Sequence, residues 1–72
     1  MRTYYFDLQD GVAVRDRKGL ELVSGGAAIE HSKRLAKLIR DKRQPNRKDL
    51  NVVVLDEDGR EIHREVVYPA AS

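Results

Sequence analysis

At 72 residues, 40% of them hydrophobic and 36% charged, the chain has room for one small domain, and its apolar runs exclude a disordered tail. It has no cysteine, which excludes disulfide frameworks and thiolate metal sites, and no long apolar stretch or basic-then-apolar leader, so we expect a cytoplasmic protein. The formal net charge is +2, yet residues 33–48 carry 8 basic groups and 1 acidic group, whereas residues 49–65 carry 2 basic and 6 acidic groups.

The first predicted element is a β-hairpin. Apolar side chains at every second position through Leu8 predict a strand, and Gln9-Asp10-Gly11 has the chemistry of a three-residue loop that ends in a left-handed glycine. This loop places Leu8 opposite Val12 and Phe6 opposite Val14, so that all four lie on one face. A two-residue Asp10-Gly11 turn would place both valines on the opposite face, and the pattern therefore favours the longer loop.

A turn and a short extended segment follow the hairpin. Asp16-Arg17-Lys18-Gly19 combines an aspartate that can bond to its own backbone with a glycine that is free to take positive φ. Leu20-Glu21-Leu22 is then expected to bring the chain, in extended form, to the helix.

The helix is predicted to begin near Ser24, a good N-cap, and to end before Pro45, which disfavours helical conformation at the preceding residue. Two glycines after Ser24 weaken its first turn. We expect the hydroxyl of Ser32, near the centre of the apolar stripe, to bond to the carbonyl of Ala28. At 100° per residue, the residues of that stripe are Ala28, Ser32, Leu35, Ala36 and Ile39.

A second hairpin is predicted after the helix. With Glu57-Asp58-Gly59 as a three-residue loop, Val54 faces Ile62 and Leu50 faces Val66. Both hairpins then present a coherent apolar face to the helix.

Charged residues flank and interrupt this second hairpin. Asp56 would face Arg60 across the strand ends as an exposed pair. Arg64 falls opposite Val52 on the apolar face, so we expect its stem to cover the core and its guanidinium to reach water.

These elements predict an α+β fold: a two-layer ββαββ sandwich with one helix packed on an antiparallel sheet of about four strands. We expect a single domain over residues 1–72, with an ordered core over about 2–68 and a flexible tail at 69–72. The sheet face away from the helix would be unusually apolar for solvent, which indicates a candidate interface. Its residues are Tyr5, Val53, Leu55 and Val67.

Several motifs, taken together, are similar to those of a known family: Tyr4-Tyr5-Phe6-Asp7, Asp10-Gly11, Asp16, Gly19, Glu21-Leu22, Ala28, Glu30 and Val52-x-Val54-x-Asp56-Glu57-Asp58-Gly59-x-x-Ile62. Over about residues 2–68 the chain resembles short, uncharacterised alphaproteobacterial proteins classed as a domain of unknown function. The resemblance implies a bacterial, soluble, cytoplasmic protein with no assigned chemistry. That family has acidic residues where Ser24-Gly25-Gly26 stands and a small residue at His31, so the helix start departs from its pattern. A more distant similarity, to HicB-type antitoxins, is one of fold.

The basic stretch is a candidate nucleic-acid contact, because several cations on one helix face attract phosphates regardless of base sequence. The alternative is an ordinary solvated helix exterior. An acidic hairpin beside the stretch and the absence of aromatic residues from 29–67 favour that alternative. The candidate contacts are Lys33, Lys37, Arg40, Arg43, Arg47 and Lys48.

No residue pattern predicts a catalytic, cofactor-binding or metal site. The acidic Asp56-Glu57-Asp58-Gly59 run lacks calcium ligands at the required spacing and is interpreted as a hairpin turn. His31 and His63 are too far apart for a metal box, and Ser24-Gly25-Gly26 is interpreted as a loose loop.

We therefore expect a non-catalytic interaction module, without a cofactor, that associates with itself or another protein through its open sheet face or an edge strand. The alternative is a nucleic-acid-binding or antitoxin-like accessory protein that acts through the basic helix face. The residue pattern leaves the strand order open.

Overall fold

The structure, a computed structural model, describes residues 1–42 and 49–68. One helix packs on an antiparallel sheet of five strands, which confirms the predicted α+β fold and adds one strand to the expected four. No helix in the two described ranges is long and apolar enough to cross a membrane. The elements are β1 (Arg2–Gln9), β2 (Ala13–Val14), β3 (Leu20–Leu22), α1 (Gly25–Asp41), β4 (Asn51–Leu55) and β5 (Glu61–Val66).

The main path of the sheet runs β2-β1-β4-β5, and β3 also pairs with β1. β2 pairs with the end of β1 at Leu8 and Gln9, whereas β3 pairs with its beginning, from Arg2 to Tyr4. Between them, the carboxylate of Asp16 accepts a hydrogen bond from the backbone N–H of Phe6 at 3.2 Å. β2, the Asp16 loop and β3 therefore line one edge of β1 in succession, and β5 ends the sheet on the other side.

The helix begins and packs as predicted. The hydroxyl of Ser24, the N-cap, accepts a hydrogen bond from the N–H of Ala27 at 3.2 Å. Ser32 is fully buried, but its Oγ donates to the carbonyl of Ile29 at 2.6 Å, so the predicted bond to Ala28 was wrong. A serine in a helix reaches the carbonyl three or four residues earlier, and here the nearer one is used. The small buried residues of the stripe let the helix approach the sheet closely: Ala28, Ser32 and Ala36.

The core lies between the helix and the sheet in two clusters. One cluster surrounds Ala36, beneath the second half of the helix, and the other joins Ala28 to Tyr4 and Val54. Phe6 packs against both clusters and so makes the core continuous. The fully buried members of the first cluster are Ala36, Leu50, Val52 and Val67.

The register of the first hairpin differs from the prediction by two residues. Leu8 pairs with Val14, so the loop comprises residues 10–12, and the predicted Leu8–Val12 and Phe6–Val14 pairs were wrong. The reason is that Asp16 bonds to the N–H of Phe6, which moves Val14 two positions along the strand. A shift of two residues keeps each strand side chain on its predicted face. Val12, however, now lies in the loop and is 71% exposed.

The second hairpin has the predicted loop but contains a bulge that was not predicted. Asp56 donates its N–H to the carbonyl of Arg60 at 2.9 Å, and Leu55 pairs with Glu61. One residue further, Val54 pairs with His63 and not with Ile62. Ile62 is therefore the extra residue of a β-bulge.

The bulge reverses the faces of all later residues of β5. Arg64 pairs with Val53, on the sheet face away from the helix, and not with Val52 as predicted. Val66 pairs with Asn51, so the predicted Leu50–Val66 pair was also wrong. The N–H of Val67 instead donates to the carbonyl of Leu50 at 3.0 Å.

Candidate functional site

The sheet face away from the helix, here called the open face, forms a shallow cleft of about 350 Å³. Two of the predicted interface residues, Tyr5 and Leu55, line it and are half-buried. Val53 also faces the cleft, but it is only 1% exposed. Val67 belongs to the core between helix and sheet, so its predicted place on this face was wrong. The open face therefore offers less apolar surface to a partner than the alternation of residues predicted.

An ion pair lies across one side of the open face. Arg64 Nη2 donates to Glu61 Oε1 at 2.9 Å, and Arg64 Nε donates to Glu61 Oε2 at 3.3 Å. The hydrogen bond from Arg64 lowers the pKa of Glu61, and the same bond raises the pKa of Arg64. Arg64 therefore does not cover the helix-side core, because the bulge has carried it to the opposite face, where it meets Glu61.

Asp16 organises the opposite edge of the sheet. One of its carboxylate oxygens accepts the N–H of Phe6, and the other accepts the N–H groups of Lys18 at 3.0 Å and Gly19 at 3.2 Å. Burial opposes the ionisation of Asp16, but these three backbone bonds and the nearby charge of Lys18 outweigh it and lower the pKa of Asp16. The predicted turn chemistry of this segment is thus present, and it also closes the gap between β2 and β3.

A second carboxylate, that of Asp7, lies beneath the Asp16 loop. It is 5% exposed, and its Oδ1 accepts a hydrogen bond from the backbone N–H of Asp16 at 2.9 Å. The two aspartates are therefore linked through the backbone of one and the side chain of the other, which is a structural arrangement. No group of three or more potential metal ligands occurs in the part of the chain that the structure describes.

The two edges of the sheet differ in how they are protected. β2 and β3 have only two and three residues, and the Asp16 loop interrupts them, so this edge gives a partner strand little to pair with. β5 has six residues and neither lysine nor proline, and in the described ranges no strand pairs with its outer edge. Ile62 and Val66 of this strand are 38% and 46% exposed. The outer edge of β5 is therefore the longest unpaired strand edge among the described residues.

The charged residues in and beside β5 were not predicted from the sequence as candidate site residues. The available signal was their order, since an Arg-Glu pair precedes Ile62 and His63 and another follows them. These residues are Glu61, Arg64 and Glu65 of β5 and Arg60, which directly precedes the strand.

The two histidines contact different neighbours. His63 Nε2 lies 2.8 Å from Glu65 Oε1, and both side chains are on the helix side of β5. His31 packs edge-on against the ring of Phe6, with 4.8 Å between the ring centroids. Each histidine thus has a local structural partner, one on the strand surface and one at the helix margin.

The basic helix face is only partly available as a surface. Lys33 and Lys37 are exposed, in agreement with the predicted outer face of the helix. Arg40 Nη1 instead donates to the carbonyl of Val67 at 2.9 Å and so ties the helix to the end of the sheet. The remaining candidate contacts lie outside the described residues: Arg43, Arg47 and Lys48.

The acidic run after β4 is a hairpin turn, as predicted. Oδ1 of Asp56 accepts the N–H groups of Asp58 and Arg60, each at 2.9 Å, so this oxygen is already engaged with the turn. Gly59 takes a left-handed conformation with φ 80.

Comparisons with known proteins identify a family whose function is not assigned. A family model described as Domain of unknown function (DUF6894) matches residues 3–66. No curated protein matches the chain significantly, and neither does any solved structure.

Proposed function

The chain belongs to the DUF6894 family, a domain of unknown function, and from that premise we propose that it is a small non-catalytic protein-interaction module. Partners dock along the outer edge of β5, by adding a strand to the sheet. The observation that carries this proposal is the sheet order, in which β5 is last and its six residues leave one strand edge unpaired among the described residues. As a bacterial cytoplasmic protein, it would meet such partners in solution.

The outer edge of β5 is favoured over the open face as the docking surface because of the groups that each leaves exposed. On the open face, Val53 is buried and the Glu61–Arg64 pair occupies one side, so little apolar area remains to drive association. At the edge, main-chain groups supply the affinity and the exposed side chains of Ile62 and Val66 supply specificity.

A lysine on the edge tests this proposal, since natural sheets use edge lysines to prevent strand addition. The chain is used as bait for partners in the cells that produce it, as wild type, as Val66→Lys and as Val12→Lys. Val12 is the matched control, because it is exposed but lies in the first hairpin loop, away from β5. We expect Val66→Lys to lose partners that wild type and Val12→Lys retain, with equal thermal unfolding of all three. Equal recovery of every partner by Val66→Lys would refute edge docking.

A second candidate function is nucleic-acid contact through the exposed Lys33 and Lys37. Such contact is sequence-independent, and its affinity falls steeply with salt as counterions are released. Titration of duplex and single-stranded oligonucleotides at low and physiological salt tests it, with Lys33→Glu/Lys37→Glu as the variant. We expect low-salt binding that this variant abolishes; absence of low-salt binding by wild type excludes this candidate.

A further inference from the structure

The charge order and the bulge of β5 identify a specific partner for its edge. Resting on the proposed function, we infer that this partner is a second copy of the chain, paired antiparallel along β5 about a two-fold axis between Ile62 and His63. Ile62 of one copy lies opposite His63 of the other, and Glu61 lies opposite Arg64. Arg60 lies opposite Glu65 at both ends of the contact.

The bulge makes this register geometrically possible. In an antiparallel pair, directly opposite side chains lie on the same face, and a two-fold axis perpendicular to the sheet keeps each copy's faces aligned with the other's. In a regular strand Glu61 and Arg64, three residues apart, would lie on opposite faces. Here Glu61 pairs with Leu55 and Arg64 pairs with Val53, and both of these β4 residues face the cleft, so the two charged residues share the open face.

The same alignment holds on the helix side of the sheet. Glu65 pairs with Val52, and the carbonyl of Arg60 accepts the N–H of Asp56, which places both charged residues on the helix side. Ile62, beside the position that a Cβ on Gly25 would take, is on this side as well. Between the flanking charged pairs, each copy then contributes the same two residues, Ile62 and His63, so the two strands match in length.

Charge complementarity favours this register over the two registers that are shifted by one residue. It places four pairs of opposite charge across the contact, namely Glu61–Arg64 twice and Arg60–Glu65 twice. Centring the contact on His63 would oppose Glu61 to Glu65, and centring it on Ile62 would oppose Arg60 to Arg64. Both of those registers also oppose residues that lie on different faces, so charge and geometry exclude them together.

Two single variants and their mixture test the register. Glu61→Arg places arginine against arginine in a self-pair, and Arg64→Glu places glutamate against glutamate, so each variant's dimer dissociation constant should rise about ten-fold or more. An equimolar mixture restores opposite charge at both central pairs and should form a heterodimer with close to wild-type affinity. Mixing cannot restore the Glu61–Arg64 pair within one chain, so recovery reports on the contact between copies.

Sedimentation equilibrium measures the mass, which is 8.2 kDa for the monomer and twice that for the dimer. Glu57→Arg and Arg34→Glu make the same charge changes at exposed positions outside the register and should dimerise as wild type does. The inference is overturned if wild type stays monomeric at its highest soluble concentration, or if wild type dimerises but the mixture does not. In that case, loss of partners by Val66→Lys but not by Val12→Lys would still support edge docking without self-pairing. If Val66→Lys loses no partner, edge docking and self-pairing are both refuted.

Discussion

The backbone N–H of Phe6 donates to the side chain of Asp16 at 3.2 Å, at the point on β1 where strand pairing stops. In a continuous hairpin, a backbone carbonyl would accept this N–H. Here the side chain supplies the acceptor, and the backbone is released to form the loop over residues 15–19, which returns to β1 as β3. One carboxylate thus substitutes for a missing stretch of ladder.

We expect Asp16→Ala to lower the free energy of unfolding by about 2 kcal/mol, because three backbone N–H groups lose a charged acceptor. Asp58→Ala is the control, since Asp58 is exposed and contributes only its backbone N–H to the turn. That variant should stay within about 0.5 kcal/mol of wild type. Urea unfolding measures both, and equal costs would show that the carboxylate of Asp16 does not hold the edge together.

The lowered pKa of Asp16 predicts how its contribution depends on pH. A carboxyl group whose pKa is lower in the folded state stabilises the fold above its ordinary pKa and loses that contribution as pH falls through the folded value. The stability difference between wild type and Asp16→Asn should therefore be constant near neutral pH and shrink below pH 3.8, the ordinary value. Glu61, whose pKa is also lowered, titrates in both proteins and cancels in the difference. A difference that does not change with pH would contradict the assignment.

The local elements could be predicted from the sequence, and the strand registers could not. Ser24 and the Asp-Gly turns form hydrogen bonds to backbone groups only a few residues away, so their structure can be predicted from the local sequence alone. In the first hairpin, pairings two residues apart present the same apolar face, and the choice between them depends on Asp16, whose partner Phe6 is ten residues away.

The bulge in β5 depends on packing that only the assembled fold supplies. Val67 is buried beside Leu50, and Ile62 lies against the start of the helix; both positions require one extra residue in the strand. The sequence did contain one sign of the bulge, because a regular register placed the charged Arg64 on the apolar face. A charged residue in such a position indicates a shifted register as well as an edge. The candidate docking edge was foreseen only as an unspecified edge strand for the same reason.

Gly19 should tolerate substitution much less well than Gly59, although both have positive φ, 70 and 80. Alanine at either position costs about 1–2 kcal/mol for the left-handed conformation. A Cβ at Gly19 would also lie 2.7 Å from Thr3 Cγ2 and 3.1 Å from the carbonyl oxygen of Tyr4, whereas nothing lies within 4 Å at Gly59. We expect Gly19→Ala to cost about 3 kcal/mol in total. Thermal and urea unfolding of the two variants compare them, and equal losses would argue against close packing of this loop on β1.

Deletion of Ile62 should be tolerated better than deletion of Glu65 from the same strand. A one-residue deletion normally reverses every later side chain in a strand, but removing the bulge residue leaves His63 opposite Val54 and Val67 in the core. The expected cost is about 1 kcal/mol, because the exposed Ile62 side chain loses its packing near the start of the helix.

After deletion of Glu65, β5 can adopt one of two registers, and each lowers the free energy of unfolding. Either Val67 leaves the core, at about 1.5–3 kcal/mol, or the bulge closes and Arg64 moves to the helix side opposite Val52. Chemical denaturation gives the two free energies, and nuclear Overhauser contacts between β4 and β5 give the registers. Retention of the Leu50–Val67 contact in the Ile62 deletion is the expected result. Its loss, with stability no higher than that of the Glu65 deletion, would mean that Ile62 is not the inserted residue.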